Sequence, residues 1–297
     1  MRIFLTGATG FIGSRVAAEL LGAGHQLLGL TRSAPGEESL TAMGAEVFHG
    51  DIADPDGLKA GASACDAVIH TAFDHDFSNF AANCEKDARV IQALGEALEG
   101  SSRPFIVTSV TAFGTKEQGK PAIEDHFDNN SHNPRIVSER AGRALLERGL
   151  NISFVRLSQI HDTRRQGLVT ELIRLARTRG VSAMIAEGTN CWSACPLNDA
   201  ALLYRLAVER ALHGGCYHAV AEEGVPVHAI AAAIGERLNL PVTSVPHDKA
   251  GEHFGWLSHF MESDMSASSA ATQQMLGWQP SGRGLIENIR NLEHEAV

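Results

Sequence analysis

Basic clusters, long apolar runs and paired cysteines are all missing from this 297-residue chain. Its 25 Lys and Arg face 35 Asp and Glu, a formal charge of -10. No stretch gathers enough positive side chains to follow a phosphate backbone, so nucleic acid is not an expected partner. No basic leader precedes an uninterrupted apolar run, and no later segment reaches the apolar length that crosses a bilayer; a cytoplasmic protein without a membrane partner is expected. The five cysteines, Cys65, Cys84, Cys191, Cys195 and Cys216, are odd in number and include no Cys-x-x-Cys pair, which argues against a disulfide framework and a structural zinc site. Buried free thiols and no metal are expected. Tyrosine is scarce: Tyr204 and Tyr217 are the only two.

What is present begins at the first residues. Arg2 to Thr6 reads as a short apolar strand, Gly7, Gly10 and Gly13 follow at three-residue spacing, and Ile12, Val16 and Leu20 open an amphipathic helix. Strand, glycine turn and helix N-terminus in that order make a dinucleotide fingerprint, because glycine lets the backbone approach a ligand and the free amides of the helix attract a phosphate. Gly7, Thr9, Gly10, Phe11, Ile12 and Gly13 are the residues expected against the diphosphate.

A second strand, Gln26 to Leu30, ends in Thr31-Arg32-Ser33. A carboxylate there would hold a ribose 2'-hydroxyl; Arg32 instead suits a 2'-phosphate, with Ser33 as a further donor, which favours NADP over NAD. Ala45 to His49 gives a third strand, followed by Asp51, placed to reach the adenine, and Ile52, placed to pack on its ring. Asp66 to His70 is the fourth strand, and Thr71, Ala72 and Phe73 should pass along the cofactor. The next residues, Asp74-His75-Asp76, set a histidine between two carboxylates that would favour its charged form, or else start a helix with acidic residues at its positive end. A helix from about Phe80 to Leu98 leads to a fifth strand, Phe105 to Thr108, and to Ser109, whose hydroxyl is placed to donate to a substrate oxygen.

Thr6-Gly-Ala-Thr-Gly-Phe-Ile-Gly13, Val68-Ile-His-Thr-Ala72, Val107-Thr-Ser109 and Leu276-Gly-Trp-Gln-Pro280 together resemble the extended and atypical short-chain dehydrogenase/reductases, the group that includes NAD(P)-dependent epimerases and dehydratases. The resemblance implies an α/β fold: a Rossmann-type doubly wound parallel sheet with helices on both faces and a small C-terminal substrate-binding cap. It assigns residues 1–160 and 197–222 to the core and 161–196 and 223–297 to the cap. It puts the family's catalytic serine on Ser109, aligns Asn83 with a family asparagine, and brings Thr108, Leu157, Ser158 and Ile160 to the cofactor. It also implies dimerisation through helices flanking the sheet. The family's Tyr-x-x-x-Lys motif fails to carry over: Pro134-Arg-Ile-Val-Ser-Glu139 puts Arg135 in the tyrosine position and Glu139 in the lysine position, as in the atypical subgroup that keeps the nucleotide site and loses the tetrad.

Arg135 can bind an anionic substrate group or stabilise an alkoxide, and His75 or His161, after a sixth strand Ile152 to Arg156, can supply a proton. Further on, 167–179, Val227 to Leu238 and Thr272 to Leu276 read as helices and Tyr217 to Ala221 as a strand; Asn198 or Asp199 can cap the helix carrying Leu202, Leu203 and Leu206. His253, Phe254, Trp256, His259 and Phe260 form either core or the wall of an apolar pocket with Trp192 opposite. The expected activity is NADP(H)-dependent reduction of a small-molecule aldehyde or ketone. Its rivals are sugar-nucleotide epimerisation or dehydration, and non-catalytic NADP sensing.

Overall fold

The computed structural model of the protein describes residues 1–117 and 119–293. The strands are β1 (Arg2–Thr6), β2 (Gln26–Thr31), β3 (Glu46–His49), β4 (Ala67–His70), β5 (Phe105–Val110), β6 (Ile152–Leu157), β7 (Gln159–His161), β8 (Ser182–Ile185), β9 (Cys191–Pro196), β10 (Cys216–Ala219), β11 (Glu222–Pro226) and β12 (Val242–Val245). The helices are α1 (Phe11–Gly22), α2 (Ala34–Ala42), α3 (Lys59–Ser63), α4 (Phe80–Glu96), α5 (Ile136–Glu147), α6 (Leu168–Arg179), α7 (Leu197–Arg210), α8 (Val227–Leu238), α9 (Ala250–Phe254), α10 (Ser258–Glu262), α11 (Ala270–Leu276) and α12 (Leu285–Arg290).

Seven parallel strands build the central sheet in the order β10-β6-β5-β4-β1-β2-β3. Strand order reverses at β1, which pairs with β2 on one side and β4 on the other, so a crevice opens beyond the carboxyl ends of β1 and β4. Helices cover both faces, and β1 shows why its sequence is apolar throughout. Ile3 and Leu5 enter one core with Val16 and Leu20 of α1 and Leu203 of α7. Phe4 enters the other with Ile91 and Leu94 of α4, Leu145 of α5 and Phe154.

A third apolar cluster lies apart from the sheet and draws on residues 169–194 and 225–292, with Val169, Ile173, Trp192, Ile230, Phe254 and Leu285 at its centre. Around it stand two small sheets, β11-β9-β7 and β12-β8. Trp192 is fully buried there, in the same cluster as Phe254 and Leu257, which makes it cap core and not a pocket wall. Trp278 belongs to the sheet core although it follows the cap segments in sequence: its Nε1 donates to Asp199 O at 3.0 Å. Asp199 does not cap α7, whose N-cap is Pro196; its Oδ2 accepts from the amides of Ser281 (3.2 Å) and Gly282 (2.9 Å). Residues 294–297 of the expected cap lie outside the described residues. All five cysteines are free.

Candidate active site

At the carboxyl end of β1 the chain turns through Gly7, whose φ of 70° lies in the left-handed region. A Cβ on Gly7 would stand 2.7 Å from the Ala72 amide nitrogen, and one on Gly13 only 2.0 Å from the Gly7 carbonyl oxygen. These two glycines let α1 and the exit of β4 close on the turn. Gly10 differs: the nearest atom to a Cβ there is Gly7 O at 3.2 Å, so its outer side stays open. Gly10 is the N-cap of α1, no side chain caps the helix, and the first amide to bond back is that of Ser14. The amides of Phe11, Ile12 and Gly13 are left for an acceptor, and no acidic residue occupies the first turn. A dinucleotide diphosphate fits this cradle.

The adenosine end is marked by Arg32 and Asp51, joined by Arg32 Nη1 and Asp51 Oδ2 at 3.3 Å. Arg32 is 76% exposed and can turn toward a ligand. The Asp51 carboxyl is held below its usual range by the Ala53 amide, against a small desolvation, and by Arg32. Ile52 is partly buried and packs, like Phe48, against the apolar cluster that contains Phe4. Ser33 has a second task, since its Oγ accepts from Gly36 N at 3.3 Å and caps α2. Thr71 Oγ1 donates to Thr6 O at 2.8 Å, which seats the exit of β4 on the end of β1. Leu157 and Ile160 pack against the core, and Ser158 Oγ donates to Ala219 O at 2.5 Å.

A buried ionic network holds Ser109 and Glu139, two of the residues expected at the tetrad positions. Ser109 Oγ donates to Glu139 Oε2 at 2.5 Å, and Glu139 accepts from Arg156 Nε (3.0 Å) and Nη2 (2.7 Å) and from Arg143 Nη2 (2.8 Å). Glu139 and Arg156 are fully buried. Desolvation opposes ionisation of Glu139, but Arg156, Ser109 and Arg143 together outweigh it and the carboxyl stays below its usual range. Arg156 Nη1 donates onward to His126 O at 2.8 Å and meets His218 Nε2 at 3.3 Å. His218 Nδ1 faces Ser268 O at 2.8 Å, so these partners assign its proton to Nδ1. The expected donor Ser109 therefore has its proton engaged by Glu139. Thr108 is similarly engaged: its Oγ1 donates to His70 O at 2.6 Å and so accepts from Tyr204 OH, also at 2.6 Å.

A second network reaches Arg135. Thr6 Oγ1 and His70 Nδ1 are 2.6 Å apart, and His70 Nε2 lies 2.9 Å from Asp87 Oδ1, with His70 and Asp87 both buried. Burial works against the Asp87 carboxylate, yet Arg135 and then His70 hold its pKa down, so His70 donates to it through Nε2. Arg135 is 9% exposed, and its Cζ lies 3.7 Å above the centroid of the Phe73 ring. Its Nη1 is 3.8 Å from Asp87 Oδ2, beyond hydrogen-bond distance, and both atoms are buried; Ser138 also helps hold the Asp87 carboxyl down.

The histidines divide. His75 is exposed beside Phe73, with ring centroids 5.2 Å apart. Its flanking carboxylates are taken elsewhere: Asp74 pairs with Lys86 at 2.7 Å, and Asp76 Oδ1 accepts from Ser78 N at 3.0 Å. Desolvation and then the Arg135 charge push the His75 pKa down, opposite to the expected effect of two neighbouring acids. His161 is fully buried, accepts at Nδ1 from Asn288 Nδ2 at 2.7 Å, and is driven by burial to about 4. A neutral, buried imidazole is a poor proton donor. Asn83 Nδ2 donates to Asp76 O at 3.0 Å and secures the loop that carries His75. Among the described residues no group of three or more His, Cys, Asp or Glu could hold a metal ion, and no helix is long and apolar enough to cross a membrane.

The family model described as the NAD dependent epimerase/dehydratase family matches residues 3–220. The chain belongs to this family. Among its relatives is an uncharacterized protein of Schizosaccharomyces pombe, 46% identical over 97% of this chain and 98% of that one. Another is the 2-alkyl-3-oxoalkanoate reductase of Stenotrophomonas maltophilia, 28% identical over 79% of this chain and 76% of the enzyme. In fold the chain is similar to the dTDP-glucose 4,6-dehydratase DesIV of Streptomyces venezuelae, solved with NAD bound, with a TM-score of 0.76 at 19% identity over 98% of this chain and 96% of that one.

The two networks around Arg135 and Glu139 use residues that the sequence reading passed over. Asp87 had a signal: it precedes Val90 and Ile91 by three and four positions, on the apolar stripe of α4. Arg156 had one as well, a charge inside the apolar strand Ile152–Leu157. Neither signal names its partner, because Asp87 meets β4 and α5, and Arg156 meets α5 and β10, across the fold.

Proposed function

We propose that the protein is an NADP(H)-dependent oxidoreductase that reduces the carbonyl of a small aldehyde or ketone. The observation that carries this reading is Arg135: a largely buried arginine with an unpartnered guanidinium nitrogen, where family likeness puts the tyrosine that faces substrate. The likeness to an oxoalkanoate reductase supports it. Gly7, Thr9, Gly10, Phe11, Ile12 and Gly13 would hold the diphosphate, Asp51 and Ile52 the adenine, Arg32 and Ser33 the 2'-phosphate, and Thr71, Ala72 and Phe73 the nicotinamide half.

When bound, NADPH supplies hydride to the carbonyl carbon. Arg135 attracts the oxygen as the C=O electron pair moves onto it, an electrostatic role that a permanently charged group performs without giving up a proton. The alkoxide takes its proton from water at the mouth, where His75 is exposed and relays it. Ser109 acts by positioning: with Arg156 and Arg143 it orients Glu139, one helical turn beyond Arg135 on α5.

The test is NADPH consumption across aldehydes and ketones. Arg135→Gln lowers kcat by about 100-fold while the protein stays folded; an unchanged kcat would remove Arg135 from the reaction. One observation favours a second reading, a non-catalytic NADP sensor: the proton of Ser109 is engaged by Glu139. Tight NADPH binding without turnover of any carbonyl would select it.

A further inference from the structure

We infer that the substrate is an oxo acid whose carboxylate sits on the Arg135 guanidinium beside the carbonyl being reduced. This rests on the reductase reading above and narrows its substrate.

Three constraints fix the guanidinium. Its Cζ lies over the Phe73 ring, 3.7 Å from the centroid, which holds its position. Nη1 points toward Asp87, which sets its rotation. Its own residue is the N-cap of α5, a helix of 12 residues with no side-chain cap. A guanidinium held this way presents a planar fork of N–H donors, whose complement is two oxygen atoms side by side. A simple ketone brings one such oxygen. A carbonyl with a carboxylate one or two carbons away brings an adjacent pair, and with it the negative charge.

The counter-ion already present leaves the fork unfilled. Asp87 gives Oδ1 to His70 at 2.9 Å, and its Oδ2 stays 3.8 Å from Nη1, too far for a hydrogen bond. Nη1 is buried and turned to Asp87, and among the described residues no hydrogen bond engages the other two guanidinium nitrogens, which are the donors left for an arriving acceptor. A second positive charge acts on the neighbouring His75. The exposed Arg165, in the turn between β7 and α6, acts on His75 in the same sense as Arg135, and no ion pair engages Arg165 among the described residues. The α5 amides add the positive end of a helix dipole. In a chain of formal charge -10, a cationic recess selects for an anion locally while the molecule as a whole repels it.

The experiment has two arms on the full-length protein. In the first, NADP-loaded protein is titrated with butanoate and with its neutral isostere butanamide, reading the thermal midpoint. Butanoate raises the midpoint, butanamide does not, Arg135→Gln abolishes the difference and Arg135→Lys keeps part of it. Equal responses to acid and amide, or a butanoate response that survives in Arg135→Gln, would overturn the inference. If Arg135→Gln does not fold, the wild-type contrast and the lysine variant still decide. In the second arm, 2-oxobutanoate is compared with 2-butanone as substrate for NADPH oxidation, and at least a tenfold advantage in kcat/KM for the acid is expected. Equal turnover of both overturns the oxo-acid inference and leaves the reductase reading standing. Turnover of neither, with carboxylate binding intact, sinks the reductase reading and leaves Arg135 as a carboxylate site.

Discussion

Glu139 shows how one residue can be readable in identity and unreadable in role. Its departure from lysine is plain in the sequence, but its function depends on Arg156, 17 residues away on another strand, and on Arg143 and Ser109. Removing its charge leaves the buried Arg156 without a counter-ion, and breaking such a pair costs about 3–5 kcal/mol. Glu139→Gln is therefore expected to lower the urea midpoint sharply, whereas Ser109→Ala, which deletes one donor to an anion that keeps its arginines, costs about 1–2 kcal/mol. Similar midpoints for the two variants would show that the network is not the support argued here. The expectation for Arg32, by contrast, was drawn from a single strand end, where its chemistry needs no partner from elsewhere in the fold. Its replacement by alanine should weaken NADPH binding at least tenfold and leave NADH binding nearly unchanged; equal losses would separate Arg32 from the 2'-phosphate.

At the scale of elements, the central sheet was largely written in local pattern. Apolar runs between glycine turns placed β1 to β6 and β10 within two residues at either end, since strands covered on both faces must be apolar along their length. The strands β7, β8, β9, β11 and β12 escaped this reading. Gln-Ile-His in β7 and Glu-Glu-Gly-Val-Pro in β11 have no alternation to detect, and they exist because partners in the cap pair with them. The turn between β1 and α1 offers a clean test of which glycine serves the fold and which serves the ligand. Gly13→Ala drives a methyl group into the Gly7 carbonyl and should lower both the thermal midpoint and cofactor affinity. Gly10→Ala meets only a 3.2 Å contact and should keep the midpoint while losing affinity. A Gly10→Ala protein that binds NADPH as wild type does would mean that the diphosphate lies elsewhere.

For the molecule as a whole, two buried histidines set a pH limit. His161 and His218 each fall from 6.5 to about 4 in the folded protein, chiefly through burial. Below pH 6.5 the unfolded chain takes up protons at these positions that the folded chain does not, so stability is full above 6.5 and is lost as pH falls toward 4. The loss approaches about 3 kcal/mol for each histidine. Asp87 and Glu139, held below their usual ranges, extend the decline to lower pH, because the unfolded chain again binds the proton first. A thermal midpoint that stays level between pH 7 and 4.5 would contradict this, and His161→Gln should flatten the slope. The network around Arg156 also bears on how this sequence can change over generations. A lysine arriving alone at position 139 would meet two guanidinium groups in a dry interior and lose the acceptor that Ser109 and both arginines share. A joint exchange of Glu139 and at least one of those arginines avoids that cost, so single substitutions from this site toward the family's usual motif are disfavoured.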